Sequence, residues 1–332
     1  MIDAAPPSVF VTRALPPPGV ASLREAGLAV EHRDVDGAPS RAEMLAGVAG
    51  ADALLCLLTE RIDAELLDAA PRLRVVANFA VGFDNIDVPA ATARGIVVTT
   101  TPDVLTEATA DLAWALILGA ARRVGEGDAL VRSGGWTAFS PMLLLGAPVA
   151  GRTLGIVGMG AIGSAVARRA RGFAMTVIYA SPRPNVAAEA ETGAERVPLD
   201  ELLARSDIVS LHAPLHTDSR HLIDADALAA MKPSAVLVNA ARGALVDEAA
   251  LVAALRDGTI AAAGLDVYED EPALSPGLAE LPNTLLLPHI GSATTEARAA
   301  MVRLCCDNIT AVLDGRRPLT PRNPEVLSDR SA

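Results

Sequence analysis

The chain has 332 residues, enough for two domains at about 150 residues each and for a sizeable buried core. Hydrophobic residues make up 51% and charged residues 20%, which excludes a disordered chain and a disulfide-dense mini-protein. Forty acidic against 28 basic side chains give a net charge of −12, which disfavours nucleic acid and anionic membranes as partners, so a small anionic ligand would need a local cluster of Arg or helix N-termini.

Short β-rich apolar runs alternate with Ala/Leu/Arg helical patterns, the signature of βα units around a parallel sheet. The first series predicts strands at Ser8–Val11, Ala29–Arg33, Ala53–Leu58, Leu73–Asn78 and Ile96–Thr100, a complete α/β domain. Thr106 then reads as the N-cap of a long helix, with Glu107 in its first turn and Arg122–Arg123 at its end, where basic residues suit a helix C-terminus. Ser133–Ala150 is rich in Gly and Pro and carries Trp136 and Phe139, so it reads as an irregular excursion and a candidate subunit contact. Its uncharged length is interrupted by Pro141 and Pro148, which argues against a membrane span.

A second series starts at Thr153 (TLGIVG) and continues through Thr176–Tyr179, Ile208–Leu211, Val236–Asn239, Gly264–Val267 and Leu285–Leu287. Thr295–Leu313 reads as a helix that packs after the second sheet is complete; a return to the first domain would make that domain discontinuous in sequence. Pro6–Pro7 precede any apolar run and no basic, secretory-type leader is evident. Cys56, Cys305 and Cys306 include an adjacent pair awkwardly placed to bridge to itself, so they read as structural thiols of a reducing compartment. A cytoplasmic protein is the expectation. Lys232 is the only lysine, from which no function is drawn.

Gly158-Met159-Gly160-Ala161-Ile162-Gly163 follows an apolar strand and opens a helix, the context that a dinucleotide fingerprint requires. The first glycine permits the tight turn, the second lets the backbone approach a pyrophosphate, and the third lets helix and strand pack closely. The acid that usually accepts from the adenosine ribose about 20 residues on is missing: the next strand ends Tyr179-Ala180-Ser181-Pro182-Arg183-Pro184, with no Asp or Glu before Glu189. An absent carboxylate beside Ser181 and Arg183 suits a 2′-phosphate, so NADPH is expected in preference to NADH.

Three further segments each follow a predicted strand: Asn239-Ala240-Ala241-Arg242-Gly243, Leu265 to Pro272 with Asp266, Glu269 and Glu271, and Leu287-Pro288-His289-Ile290-Gly291-Ser292-Ala293. Open α/β sheets hold their ligands at the carboxyl ends of strands, so an Arg, a carboxylate and a His are expected to converge there. His212, His216 and His221 lack a metal-like partner set and read as structural or cofactor-adjacent; no metal is expected.

These segments, the fingerprint and Val75 to Asp87 (VVANFAVGFDNID) together resemble the D-isomer-specific 2-hydroxyacid dehydrogenase family, over about Val9 to Arg322. Thr101 to Asp111 and Val131-Arg132-Ser133-Gly134 are most similar to its glyoxylate/hydroxypyruvate reductase branch. The resemblance implies an α/β chain of two Rossmann-like or flavodoxin-like domains with parallel sheets. A nucleotide-binding domain, 105–293, would be inserted into a discontinuous substrate-binding domain, 1–104 plus 294–332.

The resemblance further implies reduction of a small 2-keto acid, with glyoxylate and hydroxypyruvate fitting best. Arg242 would clamp carboxylate and carbonyl oxygen, His289 would be the proton donor, and Glu271 would orient the His289 ring and favour its imidazolium. Backbone N–H groups of Val81 and Gly82 would hold the substrate carboxylate, Leu57 with Leu58 would form an apolar wall, and Ser292 would assist. Cofactor contacts would come from Thr109, Gly158, Met159, Gly160, Ala161, Ile162, Gly163, Ser181, Arg183, Pro214, Ala240, Ala241, Asp266 and Gly291. His216 stands where the branch more often has Thr, which leaves the neighbouring cofactor contacts open. A homodimer is implied, with Trp136 reaching the neighbouring subunit. Two other readings stay open: an NAD-dependent D-lactate- or phosphoglycerate-type dehydrogenase, and a catalytically silent NAD(H)-sensing scaffold like the family's corepressor relatives.

Overall fold

A computed structural model describes residues 5–328; residues 1–4 and 329–332 of the predicted substrate-binding segments lie outside the described residues. The chain divides into two compact units, one of Met1–Leu105 with Ala293–Ala332 and one of Thr106–Ser292.

The first unit alternates β1 (Ser8–Val11), α1 (Ala21–Glu25), β2 (Ala29–His32), α2 (Arg41–Val48), β3 (Ala53–Cys56), α3 (Ala64–Asp68), β4 (Val75–Asn78), α4 (Val88–Ala93) and β5 (Val97–Thr99). All five strands are parallel, in the order β2-β1-β3-β4-β5. Strands β3, β4 and β5 are buried along their whole length, as apolar strands covered on both faces must be. Side-chain caps start the helices: Ser40 and Glu43 form a capping box on α2, and Asp63 and Asp87 accept from Leu66 N and Ala90 N on α3 and α4.

The second unit opens with α5 (Thr106–Ala121) and α6 (Val124–Arg132), followed by β6 (Thr153–Val157), α7 (Ala161–Ala170), β7 (Thr176–Ala180) and α8 (Val186–Thr192). It continues with β8 (Glu195–Arg196), α9 (Leu199–Arg205), β9 (Ile208–Leu211), α10 (Ala225–Ala230), β10 (Val236–Asn239), α11 (Glu248–Arg256), β11 (Ala262–Leu265) and β12 (Thr284–Leu286). The seven parallel strands run β12-β11-β10-β9-β6-β7-β8, so the order reverses between β6 and β9, the switch point beside which doubly wound sheets bind ligands. One face is covered by α5 and α7, where Trp114 stacks on Phe173 at 4.6 Å and donates Nε1–H to Val166 O at 3.1 Å. The other face packs residues of α9, α10 and α11, among them Leu202, Leu228 and Leu251.

The last long helix, α12 (Thr295–Leu313), begins at the expected residue because Thr294 accepts from Ala297 N as its N-cap. It packs on β3, β4 and β5, and α13 (Glu325–Ser328) closes the described chain. Asn323 seals this return: it accepts from Val98 N at 2.8 Å and donates to Ile96 O at 2.8 Å.

Four sequence expectations need correction. Thr106 is the first residue of α5 rather than its cap, and α5 stops at Ala121, two residues short of Arg123, which takes a left-handed conformation (φ 56°) before α6 starts. The strand expected at Gly264–Val267 is Ala262–Leu265. Edge strand β8 has only two residues, both exposed, and so carries no hydrophobic pattern. The segment between Arg132 and Thr153 holds no helix or strand, as its Gly and Pro content indicates. No helix of the described residues is long and apolar enough to cross a membrane. All three cysteines are buried and unbridged.

Candidate active site

The glycine fingerprint makes a turn from β6 into α7 with three distinct constraints. Gly158 has φ +98°, and a Cβ there would sit 2.6 Å from Ala213 N. Gly163 lies so close to the Gly158 carbonyl that a side chain would collide with it. Gly160 caps the ten-residue α7 without a side-chain bond, and no heavy atom lies within 4 Å of where its Cβ would be. A crowded first and third glycine around an open second one, at a helix N-terminus, fits a pyrophosphate approaching the backbone of Met159, Gly160, Ala161 and Ile162.

The loop after β7 is fixed to that turn. Ser181 Oγ accepts from Met159 N at 2.8 Å, and Arg196 on β8 donates to Ser181 O at 3.0 and 2.9 Å and to Pro182 O at 3.1 Å. Arg183 is exposed and pairs with no carboxylate among the described residues. The nearest downstream acid, Glu189, accepts from Tyr179 OH and is thereby occupied inside its own unit. Pro214 is exposed beyond β9.

Arg242, Glu271 and His289 all lie in the second unit, on the loops that follow β10, β11 and β12. Glu271 Oε2 is 2.8 Å from His289 Nδ1, and its Oε1 accepts from Tyr268 N at 2.9 Å. Because a carboxylate can only accept, Nδ1 carries the hydrogen of this pair, and Nε2 is the nitrogen left to exchange a proton. Desolvation opposes the charge on Glu271, but the bonds from His289 and Tyr268 N and the nearby Arg242 charge outweigh it and hold the carboxyl below its ordinary range. His289 has φ 54°, an uncommon backbone for a residue with a side chain, and such outliers collect at functional sites.

Several residues given no role from the sequence hold these loops together. Tyr268 OH donates to Leu287 O at 2.8 Å, tying the Glu271 loop to the His289 loop; burial, followed by the Asp266 charge, pushes this phenol up to about 12, so it stays a donor. Buried Glu248 accepts from Glu269 N and from Ser275 Oγ, both at 2.7 Å, and Glu269 accepts from His221 Nε2 at 2.7 Å and from Arg220. Asn239 Nδ2 donates to Arg242 O at 2.8 Å, and Gly243 lies directly against the Tyr268–Glu269 backbone. In sequence Glu248 looks like any acid in a helix first turn; its pairing with a loop 21 residues away leaves no local pattern.

Asp266 is buried, accepts from Ile290 N at 2.8 Å through Oδ1, and leaves Oδ2 without a protein partner among the described residues. Burial raises its pKa despite that bond and the neighbouring His289. A Cβ on Gly291 would lie 3.2 Å from Asp266 Oδ2 and 3.4 Å from Thr109 Cγ2, so Thr109, Asp266 and Gly291 share one spot. Ala240 and Ala241 follow β10, where Ala241 N donates to Asn239 Oδ1 at 3.0 Å. Of the other histidines, His212 contacts Ser210 Oγ at 2.9 Å and His216 opens a short turn; among the described residues no group of His, Cys, Asp or Glu could hold a metal ion.

Leu57, Val81 and Gly82 lie in the first unit, on the loops after β3 and β4, and Ser292 is the last residue of the second. Phe79 N and Ala80 N are used by Cys56 O and Asn78 O, both at 2.8 Å, whereas the N–H groups of Val81 and Gly82 meet no acceptor among the described residues. Two consecutive N–H donors are thus left for a ligand to use.

The family model for the D-isomer specific 2-hydroxyacid dehydrogenase NAD binding domain matches residues 114–291. A glyoxylate reductase of Thermococcus onnurineus is 51% identical over 328 residues, 98% of each chain. A solved structure of a Thermus thermophilus protein superposes with a TM-score of 0.89 at 48% identity, covering 95% of this chain and 99% of that one. An NADPH-dependent glyoxylate/hydroxypyruvate reductase of Sinorhizobium meliloti, solved with NADP and malonate, gives 0.80 at 37% identity over 95% and 96% of the two chains. The nicotinamide-nucleotide fingerprint, the Arg–Glu–His loops and this likeness along nearly the full length have one meaning: the chain belongs to the D-isomer specific 2-hydroxyacid dehydrogenase family.

Proposed function

We propose that the protein reduces glyoxylate and hydroxypyruvate to the corresponding 2-hydroxy acids, giving the D-isomer where the product is chiral, with NADPH preferred over NADH. The observation that carries this reading is the His289–Glu271 pair at 2.8 Å, one loop from Arg242 and on the same sheet as the glycine cradle. The relatives named glyoxylate reductase support the substrate, and the neighbour solved with NADP supports the cofactor.

In this mechanism Arg242 takes the substrate carboxylate and the carbonyl oxygen on its planar fork, a geometry that lysine lacks. A nicotinamide held by the glycine cradle would supply the hydride for the carbonyl carbon. His289 donates the Nε2 proton to the carbonyl oxygen as that oxygen gains charge, while Glu271 keeps the Nδ1 hydrogen in place and balances the ring's charge. In oxidation the same nitrogen accepts the proton. The open N–H groups of Val81 and Gly82 are assigned to the carboxylate, Leu57 to the apolar wall and Ser292 to a supporting contact; the first unit is accordingly the substrate-binding domain and the second the nucleotide-binding domain. Gly158 to Gly163 would receive the pyrophosphate, Ser181 and Arg183 the 2′-phosphate, and Thr109, Pro214, Ala240, Ala241, Asp266 and Gly291 the remaining cofactor contacts. Ser181 Oγ, already accepting from Met159 N, keeps its own hydrogen to donate.

The segment after α6 exposes Trp136, Phe139 at 85% and Met142 at 74%, which favours a homodimer through this face, within a cytoplasmic enzyme. The test of function is the loss of NADPH or NADH absorbance with glyoxylate, hydroxypyruvate, pyruvate and phosphohydroxypyruvate offered in parallel. Rapid NADPH oxidation with the first two supports the whole reading. Activity only with NADH overturns the Ser181–Arg183 argument and leaves the chemistry, and turnover only with pyruvate or phosphohydroxypyruvate moves the protein to another branch.

A further inference from the structure

The loops after β3 and β4 run side by side at the carboxyl ends of adjacent parallel strands, and two asparagine side chains join them. Asn78, the last residue of β4, is fully buried; its Nδ2 donates to Gly82 O at 2.8 Å and to Asn85 Oδ1 at 3.1 Å. Asn85 Nδ2 in turn donates to Leu57 O at 3.1 Å and to Glu60 O at 2.9 Å. Both hydrogens of each amide are therefore used, and all four bonds end on the two loops. Glu60, 4% exposed, completes the frame: it accepts from Leu57 N, from Thr12 Oγ1 at 3.1 Å and from Arg13 Nε at 2.9 Å.

We propose that Asn78 and Asn85 are positioning residues for the substrate carboxylate, their linked amides fixing the Val81–Gly82 donors relative to the Leu57 wall. This rests on the assignment of Val81 and Gly82 to the carboxylate made above. The turn between Ala80 and Asn85 has few backbone bonds of its own, and each loosely held residue keeps on the order of 1 kcal/mol of conformational entropy that an anion would have to remove on binding. Asn78 removes it beforehand by holding the carbonyl of Gly82, so the neighbouring N–H groups keep a fixed orientation. Asn85 sets the spacing, because the same nitrogen holds both carbonyls of the facing loop.

The amide geometry dictates the variants. Asn78→Asp is isosteric and replaces two donors with an acceptor that faces the Gly82 carbonyl. Asn85→Ala, at a half-exposed position, releases Leu57 O and Glu60 O to water and is the gentler change. The experiment measures KM and kcat for glyoxylate at saturating cofactor, the cofactor dissociation constant by fluorescence, and oxalate binding to the cofactor complex by calorimetry. A rise in KM and in the oxalate dissociation constant of about 10- to 100-fold, with the cofactor constant unchanged and kcat within about 3-fold, supports the proposal. A folded Asn85→Ala enzyme with a lower melting temperature but KM within about 2-fold of the parent overturns it, since the amides would then only build the loop. Val81→Pro removes one of the two N–H donors and tests the underlying site separately. If oxalate binding survives that change in a folded enzyme, the assignment of these donors to the carboxylate fails, whatever the asparagines do.

Discussion

Replacing Gly243 with alanine should disable the enzyme without removing any functional group. A Cβ at this position would collide with Tyr268 C and O and with Glu269 N, all of them backbone and all well inside 3.0 Å. No rotamer change relieves such a clash; the Arg242 turn and the Glu271 loop must part by about 1 Å or more, at a stability cost of roughly 1–3 kcal/mol. Arg242 leaves Gly243 on one side of the gap and Glu271 follows Glu269 on the other, so the displacement falls directly on the separation between clamp and acid pair. A misplacement of about 1 Å in a reacting geometry costs on the order of 100-fold in rate. The fingerprint turn lies on other loops, so its share of cofactor affinity should be retained, while Ala240, Ala241 and Asp266 border the displaced loops and should cost cofactor affinity about a few-fold. Steady-state kinetics with glyoxylate, cofactor titration by fluorescence and a thermal melt together test this. A Gly243→Ala enzyme that retains kcat/KM within about 3-fold of the parent, with an unchanged melting temperature, would show that the two loops accept the Cβ without parting.

His289→Asn should lower turnover by about 10²-fold or more with cofactor affinity nearly intact, because only the proposed proton donor is removed; unchanged turnover in stopped-flow assays would show that another group donates. Arg196→Met should narrow the ratio of NADPH to NADH kcat/KM by roughly 10-fold, since Ser181 and Pro182 lose their carbonyl anchor; calorimetry with 2′,5′-ADP against 5′-AMP gives an independent reading, and an unaltered ratio in both would place the discrimination elsewhere. Acid sensitivity should trace in part to His212, whose pKa burial lowers from 6.5 to about 4. The unfolded chain protonates this ring first, so its contribution is complete above pH 6.5 and is lost as pH falls toward 4, at up to about 1.4 kcal/mol per pH unit. Urea midpoints of His212→Asn measured from pH 7 to 5 should decline less steeply than those of the parent, and parallel slopes would rule the ring out.

The strands were legible because apolar β-rich runs bounded by Gly, Pro and Asp carry both length and position, as Ser8–Val11 and Ile208–Leu211 show. The break at Arg123 was not, since Arg122–Arg123 suits a helix C-terminus and nothing local announces a left-handed residue there. Strand β8 escaped because two exposed residues on an edge have no alternation to read. Arg242, Glu271 and His289 could be named because each follows a strand in a motif of fixed order. What holds them could not: Glu248 and Tyr268 act through bonds to backbone N–H and carbonyl groups of other loops, and such bonds depend on folded distance rather than on residue type.

The loop proposed for the adenosine end follows β7, whereas the Arg, Glu and His follow β10, β11 and β12 on the far side of the switch point. Ser181 and Arg196 spend their bonds on Met159 and on their own loop, and substitutions at sites so separated tend to add independently. On the proposed assignments, descendants of this enzyme could therefore exchange one nicotinamide pool for the other through a handful of changes between residues 181 and 196 while the reaction itself stays under unaltered selection. The sheet's order would then make redox supply and substrate chemistry separately evolvable traits.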